Sequence, residues 1–171
     1  MSVQHLSTNK IIKPLMLAIL LSFTTALSAQ QSTGDGWVWW EAENYSDSNW
    51  PKGAGTFPPK TDEQKARVSG GVWLTSYQAT DAYFLEYEIN LDEDGTYTLW
   101  SRNFANPKGG TRTPYRWRFD DGQWVDQPKG SGGAVNAVKP IPKTTLSWIR
   151  LRDVELKAGK HRFRLEVTDP A

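Results

Sequence analysis

The chain has 171 residues, with 20 Lys and Arg against 19 Asp and Glu. This near-balanced charge gives no electrostatic reason to bind nucleic acid or an anionic membrane. There is no cysteine, which excludes disulfides and thiolate metal sites. Of the two histidines, His5 lies in the N-terminal segment, so His161 alone cannot build a multi-histidine metal site.

Residues 1–29 are predicted to be a secretory signal peptide. Lys10 and Lys13 precede an apolar stretch over 15–21, and small residues follow up to Ala29. This order is typical of a signal peptide, and the stretch is shorter than the roughly 20 residues of a spanning helix. Cleavage is expected after Ser28 or Ala29. The protein is then secreted, periplasmic or on the cell surface, with no membrane contact.

Residues 30–36 are predicted to be a polar leader, followed by one domain over 37–171. The segment WVWWEAE, Trp37 to Glu43, is predicted to be its first strand because aromatic and β-branched residues favour strands. A loop rich in Pro, Gly and Lys is predicted over 44–65, and loops of that length are usually functional. A short strand over 72–74 follows a Gly-Gly step.

Two longer strands are predicted next, over 82–91 and 96–104. Apolar residues alternate with mixed residues in the first strand, and Tyr97 and Leu99 alternate with Trp100 and Arg102 in the second. The Asp-Glu-Asp-Gly turn at 92–95 predicts that these strands pair as a hairpin.

A second hairpin is predicted around Asp120-Asp121-Gly122, since Gly accepts the positive φ that tight turns require. A Gly- and Pro-containing loop is predicted over 127–145. The last two strands are predicted over 147–156 and 161–167. Short strands between turn signals, with no sustained helical period, indicate an all-β fold, an antiparallel β-sandwich (jelly roll).

The order of these features resembles the calcium-dependent carbohydrate-binding modules of families six and thirty-five, which are fused to secreted bacterial glycosidases and lyases. The resemblance covers 37–167 and rests on the EAE strand, the Gly-Gly step, TYTLWSR, YRWRFDDGQW and the ending VELKAGKHRFRLEV. It implies a non-catalytic module that binds a polysaccharide or glycan. Family members continue into a further strand, whose Asp completes a calcium site, so this domain is expected to lack its last strand.

Glu41 and Glu43 stand two apart on a predicted strand, so both side chains are expected on one face. Paired carboxylates suit calcium, which takes 6–8 oxygen ligands. The spacing leaves open that one Glu faces solvent while the other caps a loop. The resemblance implies a structural calcium at this pair. Nothing else in the sequence predicts the cleft that a glycosidase carboxylate pair needs, so the chain is not expected to be an enzyme.

Nine tryptophans follow the signal peptide, more than core packing normally requires. Sugar rings lay their C–H faces on flat aromatic rings, and aromatic side chains serve core and interface alike. Trp39, Trp100 and Trp148 lie within predicted strands and are expected in the core. The predicted carbohydrate-binding residues are Trp50, Trp73, Tyr77 and Trp124.

Four basic residues, Arg112, Arg116, Arg118 and Lys129, surround the middle hairpin. A solvated face is the favoured interpretation, and the alternative is that they bind uronic acids or sulfated glycans. Two other functions stay open for the whole chain. One is a structural or protein-interaction β-sandwich, and the other is an N-terminal fragment of a larger secreted glycoside hydrolase or lyase with a covalently attached catalytic domain.

Overall fold

A computed structural model describes residues 31–34, 37–50, 56–57, 60–68, 73–74, 81–106, 109–141 and 144–169. The predicted signal peptide and Tyr77 lie outside these residues, and so does the side chain of Trp73. Within the described ranges, no helix is long and apolar enough to cross a membrane.

The described residues form twelve strands and one helical turn. The strands are β1 (Gln31–Gly34), β2 (Trp37–Trp40), β3 (Asp47–Ser48), β4 (Thr56–Phe57), β5 (Trp73–Leu74), β6 (Tyr83–Leu91), β7 (Gly95–Phe104), β8 (Tyr115–Phe119), β9 (Val125–Gln127), β10 (Ala134–Ile141), β11 (Thr144–Leu156) and β12 (Gly159–Val167). The helical turn is α1 (Asp62–Lys65). The all-β prediction is therefore confirmed.

Two antiparallel sheets carry most of the structure. One has the strand order β3-β6-β12-β8-β9, and the other has the order β10-β11-β7. The strands β12 and β6 pair along their full length, from Gly159 opposite Leu91 to Val167 opposite Tyr83. This arrangement fits the predicted antiparallel sandwich, while the jelly-roll connectivity stays a prediction.

The hydrophobic core lies against the inner face of the five-stranded sheet. Every second residue of β6, from Tyr83 to Leu91, is buried, while the residues between them are not. Phe163 of β12 and Trp117 of β8 are buried in the same cluster, which Leu99 joins from the three-stranded sheet. Large aromatic rings bury 150–250 Å² each, so Trp117 contributes a large share of this packing.

The predicted hairpin between residues 82 and 104 is wrong. Strand β6 pairs with β3 and β12, whereas β7 pairs with β11 in the other sheet. The turn at 92–94 therefore carries the chain from one sheet to the other. Residue alternation specifies which face of a strand is buried, but it does not specify the partner strand. A short turn can join two strands of one hairpin or two strands of different sheets, so the turn does not specify the partner either.

The predicted hairpin at Asp120-Asp121-Gly122 is confirmed, since β8 pairs with β9 from Tyr115 opposite Gln127 to Trp117 opposite Val125. The positive φ, 49°, falls on Asp120, a residue type that tolerates the left-handed region.

Two segments predicted as loops contain regular structure. The range 44–65 includes β3, β4 and α1, and α1 begins with a capping box in which Thr61 and Gln64 bond reciprocally. The range 127–145 contains β10, which pairs with β11 through two register shifts. The irregular register explains why no clean alternation predicts this strand.

Candidate binding face

Strands β7 and β11 place aromatic and basic side chains on the outside of the three-stranded sheet. In β11, Trp148 lies between Ser147 and Ile149, which are both buried, so Trp148 faces outwards. Arg102 of β7 is directly opposite Trp148, and Trp100 follows two residues away on the same side. Trp100 and Trp148 are thus diagonal neighbours, within reach of long side chains.

Strand β2 extends this surface. The Trp39 ring meets the Trp148 ring edge-on, with centroids 5.1 Å apart. Trp37 shares the same side of β2, whereas Trp40 packs on Phe163 in the core with ring centroids 5.6 Å apart. We name this surface the tryptophan face, and its members are Trp37, Trp39, Trp100, Arg102 and Trp148.

The tryptophan face combines exposed indole rings with half-buried ones. Trp37 is 53% exposed and Trp100 is 39% exposed, while Trp39 and Trp148 are half-buried. Val135 of β10, opposite Trp148, is also exposed and enlarges the apolar area. Exposed apolar patches on a folded domain often mark interaction sites.

Polar groups hold the half-buried rings in place. The Trp39 indole N–H donates to Glu41 Oε1 at 2.8 Å. The Arg102 guanidinium lies 5.9 Å from the Trp148 ring centroid and donates through Nη2 to the Arg67 carbonyl at 2.6 Å. A cation over an indole ring is an attractive arrangement. These contacts orient the face before any ligand arrives.

The expectation that Trp100 lies in the core is wrong, because the ring is exposed. Trp39 and Trp148 are half-buried and are not members of the core cluster. The alternation of Leu99 with Trp100 in β7 was the available signal, since it already separates Trp100 from the core-facing residues. A strand of a sandwich has two faces, and aromatic content alone does not tell them apart.

Of the four predicted carbohydrate-binding residues, Trp50 and Trp124 have described side chains, and neither belongs to the tryptophan face. The Trp50 ring is half-buried against Tyr83, with centroids 4.6 Å apart, so it contacts the inner side of the five-stranded sheet. The Trp124 ring lies against two arginines on the outer side of that sheet. Trp73 belongs to β5, opposite Phe57. Trp50 and Trp124 therefore do not form one surface.

Glu41 and Glu43 lie just beyond the end of β2. The strand is predicted to reach Glu43, but it ends at Trp40. The Asn44 N–H donates to the Glu41 carbonyl oxygen at 3.1 Å, which places both glutamates in a turn. Burial raises the pKa of Glu43, and the charge of Glu41 raises that pKa further, against a hydrogen bond from its own backbone. The described residues place no Lys or Arg within 4.0 Å of Glu43.

This pair could provide only part of a calcium site. Across the described ranges, no group of three or more His, Cys, Asp or Glu side chains converges to hold a metal. Calcium takes 6–8 oxygens, so backbone carbonyls and water would have to complete the site. The charge repulsion between Glu41 and Glu43 is nevertheless what a bound cation relieves.

No protein-family model matches the chain, and no curated protein is significantly similar to it. The resemblance to carbohydrate-binding modules therefore stays a prediction from the sequence.

Proposed function

We propose that this chain is a non-catalytic module that binds a polysaccharide or glycan across the tryptophan face. The observation that supports this function is the contact between the Trp39 and Trp148 rings on a face that also carries the exposed rings of Trp37 and Trp100. Flat rings suit the C–H faces of successive sugars, and Arg102 and Arg150 on the same face can donate to hydroxyl groups.

The same proposal includes the location of the module, a bound calcium ion and an attached catalytic domain. The module is secreted, periplasmic or on the cell surface after signal cleavage, and calcium at Glu41 and Glu43 stabilises the turn beside Trp39. A catalytic domain covalently attached in a longer parent protein would be held close to its substrate, because tethering raises the local concentration.

The alternative function is a protein-interaction module. Trp and Arg dominate protein–protein hot spots, and the tryptophan face has both residue types. A structural module of this kind would use the same surface without any affinity for sugar.

Binding of the purified protein to a glycan array and to insoluble polysaccharides tests the proposal. Replacing a ring at a binding hot spot is expected to weaken affinity ~10-fold or more, so Trp100→Ala and Trp37→Ala should each lose binding on this scale. Tyr45→Ala is the matched control, since Tyr45 is 40% exposed and is not a member of the tryptophan face.

Each result has a distinct meaning. Loss in both tryptophan variants with binding retained in Tyr45→Ala supports sugar binding on this face. No glycan binding by a protein with an intact near-ultraviolet circular dichroism spectrum contradicts the proposal and favours the protein-interaction module. Equal loss in all three variants would place the sugar elsewhere.

A further inference from the structure

The outer face of the five-stranded sheet carries a second cluster, unrelated to the tryptophan face. Arg116 and Arg118 flank the buried Trp117 on β8, so both point outwards. Across the β8–β12 pair, Arg116 is opposite Glu166 and Arg118 is opposite Arg164.

Two of these arginines have carboxylate partners. Glu166 Oε2 accepts from Arg116 Nε at 2.9 Å and Nη2 at 2.7 Å, and Glu166 Oε1 accepts from Arg164 Nε at 2.9 Å. Burial raises the pKa of Glu166, but the two arginines outweigh burial and lower it. Arg164 also reaches Glu86 at 3.3 Å. The half-buried carboxylates of Glu86 and Glu166 are therefore already paired with other arginines.

Arg118 is different. Its buried Nε has no hydrogen-bond partner, and none of the carboxylates in the described residues lies within 4.0 Å of its guanidinium. Its cross-strand neighbour is Arg164, which carries the same charge. Like charges directly opposite in a sheet are destabilising, and a buried donor without an acceptor costs free energy. An anion beside Arg118 would relieve the repulsion between these two charges.

Trp124 holds this guanidinium in position. Its ring centroid lies 4.5 Å from Arg118 Cζ and 4.4 Å from Arg116 Cζ. Trp124 directly precedes Val125, the residue opposite Trp117, so the β8–β9 hairpin sets the location of the ring. Arginine stacked on an aromatic ring keeps its planar fork of donors available, and a fork held in place loses little entropy on binding.

We propose that Arg118 and Trp124 form an oxyanion-binding site for a carboxylate or sulfate group, such as that of a uronate or a sulfate ester. Guanidinium forks bind such oxygens through paired, charge-assisted hydrogen bonds. The site lies on a different sheet from the tryptophan face and does not depend on sugar binding there.

The test is a titration of the ¹⁵N-labelled full chain with sodium sulfate and, separately, with sodium glucuronate, at constant ionic strength maintained with sodium chloride. The signals to follow are the Arg118 Nε–H and the Trp124 indole N–H. We expect a saturable shift of both signals, and the stronger of the two ligands identifies sulfate or carboxylate as the preferred group. Constant ionic strength removes general screening from the comparison.

Variants separate a specific site from diffuse charge. Arg118→Gln should weaken binding ~10-fold, since it removes a charged hydrogen-bond donor. Arg162→Gln is the matched control, because Arg162 is on the same face of β12 but is paired with Asp121 at 2.9 Å. Arg118→Lys keeps the positive charge but loses the guanidinium fork, so an intermediate affinity is expected. This variant provides the test if Arg118→Gln does not fold.

Two results would overturn the proposal. One is equal weakening by Arg118→Gln and Arg162→Gln, and the other is the absence of a saturable shift with either anion in the folded parent. Trp100→Ala is expected to bind the anions like the parent, so failure of this site and failure of sugar binding on the tryptophan face are distinguishable.

Discussion

Asp94 and Lys157 join two of the connections by which the chain passes between its two main sheets. Asp94 Oδ2 lies 2.9 Å from Lys157 Nζ, and Asp94 Oδ1 accepts the Ala158 amide N–H at 2.8 Å. One residue lies between β6 and β7 and the other between β11 and β12. The hydrogen bond from Lys157, followed by that from Ala158, lowers the pKa of Asp94.

Replacing Asp94 with Ala is expected to lower the melting temperature at neutral pH. Because the pKa of Asp94 is lower in the folded state, its contribution is present above the unfolded pKa of about 3.9 and is lost as pH falls through the folded value. Thermal unfolding of parent and variant should therefore differ near neutrality and converge in acid. Asp92→Ala, a change at an exposed residue of the same connection, is the control. An equal loss in the control would contradict a specific role for Asp94.

The stability of the protein is expected to fall as pH rises through the histidine range. His161 Nδ1 lies 2.8 Å from Asp120 Oδ2, and His161 Nε2 lies 2.8 Å from the Lys157 carbonyl oxygen, an arrangement that favours the doubly protonated ring. Burial lowers the pKa of His161, but the hydrogen bonds and the charge of Asp120 outweigh burial and raise it.

The fall in stability with rising pH follows from the raised pKa of His161. The contribution of His161 is fully present below the unfolded pKa of about 6.5 and is lost as pH rises through the higher folded value. Urea unfolding across this range should show the decline in the parent and a flatter profile in His161→Gln. Parallel profiles for parent and variant would show that another group causes the decline.

Gly132 is expected to be far less tolerant of substitution than Gly133. Gly132 has a φ of 78°, and a Cβ there would lie 2.5 Å from Ile149 Cγ2 and 2.8 Å from the Arg150 carbonyl oxygen. Gly132→Ala should therefore reduce the free energy of unfolding by ~1–3 kcal/mol in denaturant unfolding. A Cβ on Gly133 meets nothing within 4 Å, so Gly133→Ala is the matched control. Similar effects of both substitutions would contradict the steric explanation.

Calcium is expected to raise the melting temperature relative to the protein in chelator, since a ligand that binds only the folded state stabilises it. Glu43→Gln should abolish this increase. In chelator the same variant should not lower the melting temperature at neutral pH, because the raised pKa means that ionised Glu43 opposes folding. Glu93→Gln, at an exposed position, controls for the lost charge. A parent that does not respond to calcium would refute the calcium proposal without affecting the tryptophan face.

The residue pattern was sufficient to predict features that depend on neighbouring residues, namely the buried face of β6 and the β8–β9 hairpin. In β6, alternation identified the buried residues from Tyr83 to Ile89, and the Asp-Gly signal identified the β8–β9 hairpin. Both depend on neighbours in sequence, because side-chain direction alternates along a strand and a hairpin forms between adjacent segments. The all-β class follows from the repetition of such signals along the chain.

Tertiary structure decided which strands pair and which aromatic rings face outwards. The turn at 92–94 resembles a hairpin in sequence, yet β7 finds its partner in β11, about fifty residues away. Trp50 comes from a predicted loop and packs on Tyr83, while Trp100 comes from a strand and is exposed. A side chain is buried or exposed according to the elements that cover it, and those elements come from distant parts of the chain.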